Sequence, residues 1–230
     1  MTRFSLIIFI FNLLAMNSFG QNIKPVRTFD DSPNQYDLEN HGYLLIITES
    51  LDSFKLPILI AKSFFPELDS TKIKVHAKRL SNSINATTRP AIFSMIFKGK
   101  SNRTYVIRVN SSLRKEKRKI NGVPFNALIG LFGHEISHIL DYTGRTNCQM
   151  FRLGLSYLNR KSKEQYEKSV DQITIERGLG WQLYDLVNYI LADSERTEDY
   201  KKYMKDIYLE PSEIESLIKA DPQYKDIGTK

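Results

Sequence analysis

Thiols are almost absent from this sequence. Cys148 is its single cysteine in 230 residues, so no intrachain disulfide can form and a Cys-based zinc finger is excluded. Tryptophan occurs once and histidine only four times, which makes the position of each histidine informative. No apolar run reaches the ~20 residues of a comfortable membrane-spanning helix. Proline and glycine, 8 and 11 residues, are too few for a low-complexity chain. Acidic residues are outnumbered, 26 against 33 lysines and arginines, leaving a formal net charge of +7. That excess is densest at Arg114, Lys115, Lys117, Arg118 and Lys119. No aromatic residue is interleaved there as in single-strand-binding platforms, so a solvated loop is expected and a nucleic-acid partner is not. What is present suffices for a globular domain: 41% hydrophobic residues provide apolar surface to offset the entropy of ordering.

The start of the chain differs from the rest. Arg3 precedes a short, almost wholly apolar stretch from Leu6 to Met16, followed by Asn17, Ser18, Phe19 and Gly20. A charged start, a short apolar run and small residues before the cut are the pattern of a secretory signal peptide. Residues 1–20 are therefore expected to be removed after Gly20, giving a secreted or periplasmic protein with no stable membrane insertion. Retention of the run as an N-terminal membrane anchor is the alternative. Residues 21–40 are polar, contain Pro25 and Pro33 and have no apolar period, so they read as an extended lead or linker. Residues 41–230 read as one α+β domain, with a sheet and a long helix in 41–142 and further helices in 143–230.

Within that domain, Tyr43 to Thr48 is a short apolar run suited to a buried strand. Leu56 to Phe65 has helical spacing and ends at Pro66. Ile73, Val75 and Ala77 alternate with polar residues as in a half-buried strand. Ala91 to Phe97 and Arg103 to Val109 flank a five-residue connection, Lys98 to Asn102, and read as a hairpin. Phe125 to Tyr142 has apolar residues at helical spacing, with Pro124 placed for a helix start. Arg160 to Arg177, Trp181 to Ala192, Glu198 to Ile207 and Pro211 to Lys219 read as further helices.

His134, Glu135 and His138 spell HEISH on the helix from Phe125, an instance of HExxH. Residues four apart on a helix stand one turn above another, with Cβ atoms about 5–6 Å apart, so both imidazoles can meet one tetrahedral Zn²⁺. Glu135, rotated from that line, suits a general base acting on the metal's water. A catalytic zinc site needs a third protein ligand and one open position. His41, His76 and Cys148 fit that role poorly: the histidines lie upstream and read as surface residues, and Cys148 reads as a small buried residue. Glu167 is the best candidate, because Asp171 follows at i+4 on the same helix face and can accept the ring N–H of a ligating histidine. Asp171 itself, Glu164, Glu176 and Asp141 remain alternative third ligands.

With HEISH followed by Glu167 and Asp171, the sequence resembles the zincin metallopeptidases, in particular the gluzincin branch that includes thermolysin. The resemblance implies a zincin-like α+β fold: a small twisted mixed sheet, an active-site helix, then a mostly helical C-terminal part. It implies His134, His138 and Glu167 as ligands of one Zn²⁺, Glu135 as the base and Asp171 as the partner of a ligating histidine. It also implies a peptide or protein substrate held along an edge strand, for which Arg103 to Val109 is the candidate. Glu167 lies further from His138 than its thermolysin counterpart, and no familiar oxyanion-stabilising motif is visible; Arg177, Tyr142 and Tyr184 are candidates. The expected activity is zinc-dependent peptide hydrolysis. The alternative is a catalytically degenerate zincin-like binding or scaffold protein of the cell envelope.

Overall fold

In a computed structural model, the chain is described at residues 24–32, 44–80, 86–91, 94, 102–110, 123–193, 196–225 and 227. Residues 1–20, His41, most of the 98–102 connection and the basic cluster 114–119 lie outside the described residues. The architecture is mixed α+β. Four strands, β1 (Leu45–Ile47), β2 (Lys72–Lys78), β3 (Ala86–Pro90) and β4 (Thr104–Asn110), form one sheet in the order β1-β2-β4-β3. β1, β2 and β4 are parallel and β3 runs antiparallel to β4. Helix α1 (Lys55–Ser63) makes the crossover from β1 to β2 that a parallel pair requires.

The helices are α2 (Phe125–Gly144), α3 (Asn147–Ser156), α4 (Arg160–Thr174), α5 (Gly180–Asn188), α6 (Glu198–Ile207) and α7 (Pro211–Ala220). Their ends follow local chemistry. Thr146 and Gln149 form a reciprocal capping box at α3. Asn159 accepts from the Ser162 N–H at α4, and Thr197 from the Tyr200 N–H at α6. Between α4 and α5 the chain makes a π-helical turn, Ile175–Leu179, in which Gly178 has φ of 92°. A side chain there would be strained, and its Cβ would press on Phe64 and Pro25 at 3.2 Å. No helix among the described residues is long and apolar enough to cross a membrane.

Helix α2 is buried on nearly every side: 14 of its 20 residues are buried, so it is a central layer and not an amphipathic surface helix. Leu128, Phe132, Ile136 and Ile139 face a core shared with α1 and with Ile73, Val75, Tyr105, Ile107 and Val109 of the sheet. Ala127 belongs to a second core with Trp181, Leu183, Val187, Met204, Ile214 and Ile218. The crossing of α2 with α5 is so close that a Cβ on Gly130 would lie 2.1 Å from the Gln182 carbonyl oxygen.

Three sequence expectations change. The first concerns the edge. β4, expected there, is paired on both sides, by β2 and by β3. Its near-continuous burial is that of an interior strand. The edge beside α2 is β3, Ala86–Pro90, where Pro90 removes one ladder donor as edge strands tolerate. The second concerns its partner: the strand antiparallel to β4 is 86–90, a segment the sequence reading does not assign; of the expected strand 91–97 only Ala91 and Ser94 are described, and the rest lies outside the described residues. The third concerns the lead, whose described part is not free-standing. Arg27 makes a two-pronged ion pair with Asp185 at 2.8 and 2.9 Å. The Phe29 N–H donates to Asn126, and the Phe29 ring packs edge-on against Phe64. α3 was not anticipated, although Thr146 followed three residues later by Gln149 is its signal.

Replacing Gly130 with alanine forces α2 and α5 apart and is expected to cost about 3 kcal/mol or more. Gly144→Ala, with nothing within 4 Å of the new Cβ, is expected to change stability by less than about 0.5 kcal/mol. Guanidinium unfolding midpoints check the pair, and equal midpoints would refute the tight-crossing account.

Candidate metal centre

His134 and His138 stand on successive turns of α2, and Glu167 enters from α4 one layer away. All three are buried, and their ligand atoms lie within 4.8 Å of one another. The two imidazole rings are perpendicular, with centroids 4.8 Å apart. Nε2 of His134 and of His138 lie 3.3 and 3.4 Å from Oε2 of Glu167.

Each of these residues is held by its other polar atom. His134 Nδ1 lies 2.8 Å from Asp171 Oδ1, which fixes the tautomer that leaves Nε2 with its lone pair. Asp171 Oδ2 accepts the Leu209 N–H at 3.0 Å, so the carboxylate is itself anchored. The Tyr166 hydroxyl donates to Asp141 at 2.9 Å, and its oxygen faces His138 Nδ1 at 3.3 Å. Asp141 is in turn gripped by Arg145 at 2.6 and 2.9 Å. The Tyr157 hydroxyl donates to Glu167 Oε1 at 2.9 Å. Three partners thus orient three ligands and leave two nitrogens and one oxygen converging.

Chemistry of the donor set supplies the fit to a metal. Glu167 Oε2 is buried and accepts no hydrogen bond, and the same is true of Glu135 Oε2. A buried carboxylate oxygen without a partner is costly, and a divalent cation between two imidazoles removes that cost for Glu167. Two nitrogens and one oxygen are a donor set that Zn²⁺ takes. Burial raises the pKa of Glu167, but the neighbouring His134 and His138 outweigh it and hold the carboxyl far below its ordinary value. Burial likewise disfavours charge on His134, yet Asp171 and Glu167 raise its pKa well above 6.5.

His134, Glu135, His138, Glu167 and Asp171 all line one cleft of about 240 Å³. The other candidate ligands lie elsewhere or are committed. Asp141 is bound to Arg145 and Tyr166, Glu164 pairs with Lys168, and Glu176 is exposed and accepts from Gln172. His76 is on β2. Cys148, read as buried, is exposed on α3, because its helix presents only Met150 and Leu153 to the core. Of the oxyanion candidates, Arg177 is paired with Glu67 and Tyr184 packs against Trp181, whereas Tyr142 lines the cleft, stacked on His138. Nothing in the sequence singles out Tyr157, Tyr166 or Tyr208 for this site. Tyr208 sets its ring edge against His134 at 5.6 Å, and burial and then the charge of Glu167 hold its pKa well above 10.0. No spacing rule links these tyrosines to HEISH.

No protein-family model, no curated protein and no solved structure matches this chain.

A pH dependence follows for the metal-free protein. The raised pKa of His134 contributes stability that is complete below its ordinary 6.5 and is lost as pH rises through the raised value. The lowered pKa of Glu167 contributes stability present above its ordinary 4.5 and lost as pH falls through the lowered value. Denaturation midpoints in chelator are expected to decline as pH climbs above 6.5 and to show no such decline in His134→Gln. Zinc affinity is expected to move oppositely, rising with pH because ligating imidazole must be neutral.

Proposed function

We propose that this chain is an exported zinc-dependent peptidase of the zincin type, hydrolysing peptide bonds with Glu135 as general base. One observation carries the reading. A convergent His134–His138–Glu167 donor set shares a cleft with a second buried, unpartnered carboxylate oxygen, on the residue next to a ligand. A structural metal site needs only the first feature.

His134, His138 and Glu167 would hold the metal, which when bound would supply Lewis acidity, lowering the pKa of water to about 7 and polarising a carbonyl. The protein's own residues do the rest. Glu135 takes the proton of the attacking water as its oxygen bonds to the carbonyl carbon, then returns it to the nitrogen as the C–N bond breaks. Tyr208, kept protonated, is positioned beside His134 to donate to the oxygen on which negative charge develops. Asp171 and Tyr166 hold the imidazoles, and Tyr157 holds Glu167, so little reorganises during reaction.

Ala86, Thr87 and Thr88 of the edge strand β3 line the same cleft. An edge offers unpaired backbone groups to an extended peptide, so β3 takes the substrate-binding role first expected of 103–109. Export rests on the leader-like residues 1–20, and retention of that segment would make the same enzyme membrane-anchored.

Purified protein is expected to hold one zinc and cleave peptides. Glu135→Gln should keep the metal and lose about 10²–10⁴-fold in kcat, whereas His134→Ala should lose the metal as well. Unchanged zinc content in His134→Ala would overturn the reading. Peptide binding without cleavage, indifferent to chelator, would favour the scaffold alternative. Mass spectrometry of the exported protein is expected to find its N-terminus at Gln21, and a mass including residues 1–20 would instead indicate the anchored form.

A further inference from the structure

Lys163 stands four residues before Glu167 on α4, one turn away on the same face, and lines the same cleft. It is the only lysine or arginine among the described residues that do so. Its ammonium donates to the Tyr203 hydroxyl oxygen at 2.6 Å and lies 5.6 Å from the centroid of the Tyr157 ring. Among the described residues no carboxylate pairs with it. Lys168, on the same helix, meets both Glu164 and Glu213. Of the other cleft acids, Asp171 is engaged by His134 and Leu209 and Glu167 by Tyr157 through one oxygen, while Glu135 keeps one buried oxygen without a hydrogen bond.

We infer that Lys163 and Tyr203 form a carboxylate receptor, giving this cleft a preference for peptides that carry an anion close to the bond at the metal centre. The inference rests on the proposed peptide-binding role of the cleft. A lysine has three N–H donors, and one is spent on Tyr203. Because the phenol oxygen accepts that bond, the Tyr203 O–H proton is still available to donate. Two adjacent donors match the two oxygens of a carboxylate. The Tyr157 ring beside the ammonium displaces water from part of it, which strengthens its attraction for an anion. Spacing sets where the anion falls. Successive α-helical turns are about 5.4 Å apart and an extended peptide rises about 3.3 Å per residue, so the carboxylate lies one to two residues from the atoms facing Glu167. Two sources supply that chemistry: the free C-terminus of a peptide, or an aspartate or glutamate side chain.

The test is equilibrium binding to zinc-loaded Glu135→Gln protein, in which peptide is not consumed. Three N-acetylated leucine-containing peptides serve as probes: a neutral C-terminal amide, the same peptide as a free acid, and the amide with one glutamate beside the leucine. At least one carboxylate form is expected to bind about tenfold more tightly than the neutral amide at low salt, with the gap narrowing as ionic strength rises. Adding Lys163→Met should close the gap, Lys163→Arg should restore most of it, and Tyr203→Phe should reduce it. The form that gains identifies the source. Equal binding of all three probes overturns the proposal, as does binding of none. So does a preference that survives Lys163→Met, which would mean that the carboxylate meets the metal directly. The two readings fail separately. A Lys163-dependent preference in a protein that never cleaves peptides sinks the peptidase assignment alone, while indifferent cleavage of neutral and acidic peptides sinks the receptor alone.

Discussion

Everything at the candidate metal centre depends on how closely α2 packs against the chain running from α4 through the π-helical turn into α5. Gly130 and Gly133 of α2 lie where Gln182 of α5 and Leu179 of the turn press in, and a methyl group at either position would collide at 2.1 or 2.7 Å. The Ser137 and Thr174 hydroxyls meet at 2.8 Å where α2 faces α4. Along that contact, His134 meets Asp171 and His138 meets Glu167. Interiors packed this tightly have little freedom to drift, so the approach at the glycines also fixes the separation of imidazole and carboxylate. Glycine at those two positions acts on the site from a distance, by removing volume.

The polar groups then set protonation. A histidine Nδ1 tied to a carboxylate or a phenol presents Nε2 to the cleft, and a glutamate tied through one oxygen presents the other. Arg145, Asp141, Tyr166 and His138 form one continuous relay of contacts from the surface to the centre. Such a relay leaves few ways to rearrange any single member, which is the property a preorganised site needs.

Much of this was legible in the sequence, for identifiable reasons. HEISH encodes its own geometry, because an i, i+4 pair on any helix stacks two side chains. Glu167 and Asp171 were found by the same rule on a second helix. The ranges read for α6 and α7, Glu198–Ile207 and Pro211–Lys219, agree with the helices to within one residue. What escaped was set by tertiary pairing. Whether 103–109 is an edge or an interior strand depends on what lies beside it, and 86–90, which has no apolar run, takes that place. Tyr157, Tyr166 and Tyr208 come from three separate stretches and meet the site only through the fold, so no local pattern announces them. The packing of Phe29 and Arg27 was hidden likewise: a segment without apolar period can still dock through one ring and one ion pair.

That docking has a temporal side. Arg27 and Asp185 are 158 residues apart in the chain, so this clasp has no second half until α5 exists, although Phe29 two residues on can meet Phe64 much earlier. A chain emerging N-terminus first must leave the ion pair open until then. Loop closure over such a span is entropically slow to search. One short segment thereby holds an early contact and a late one.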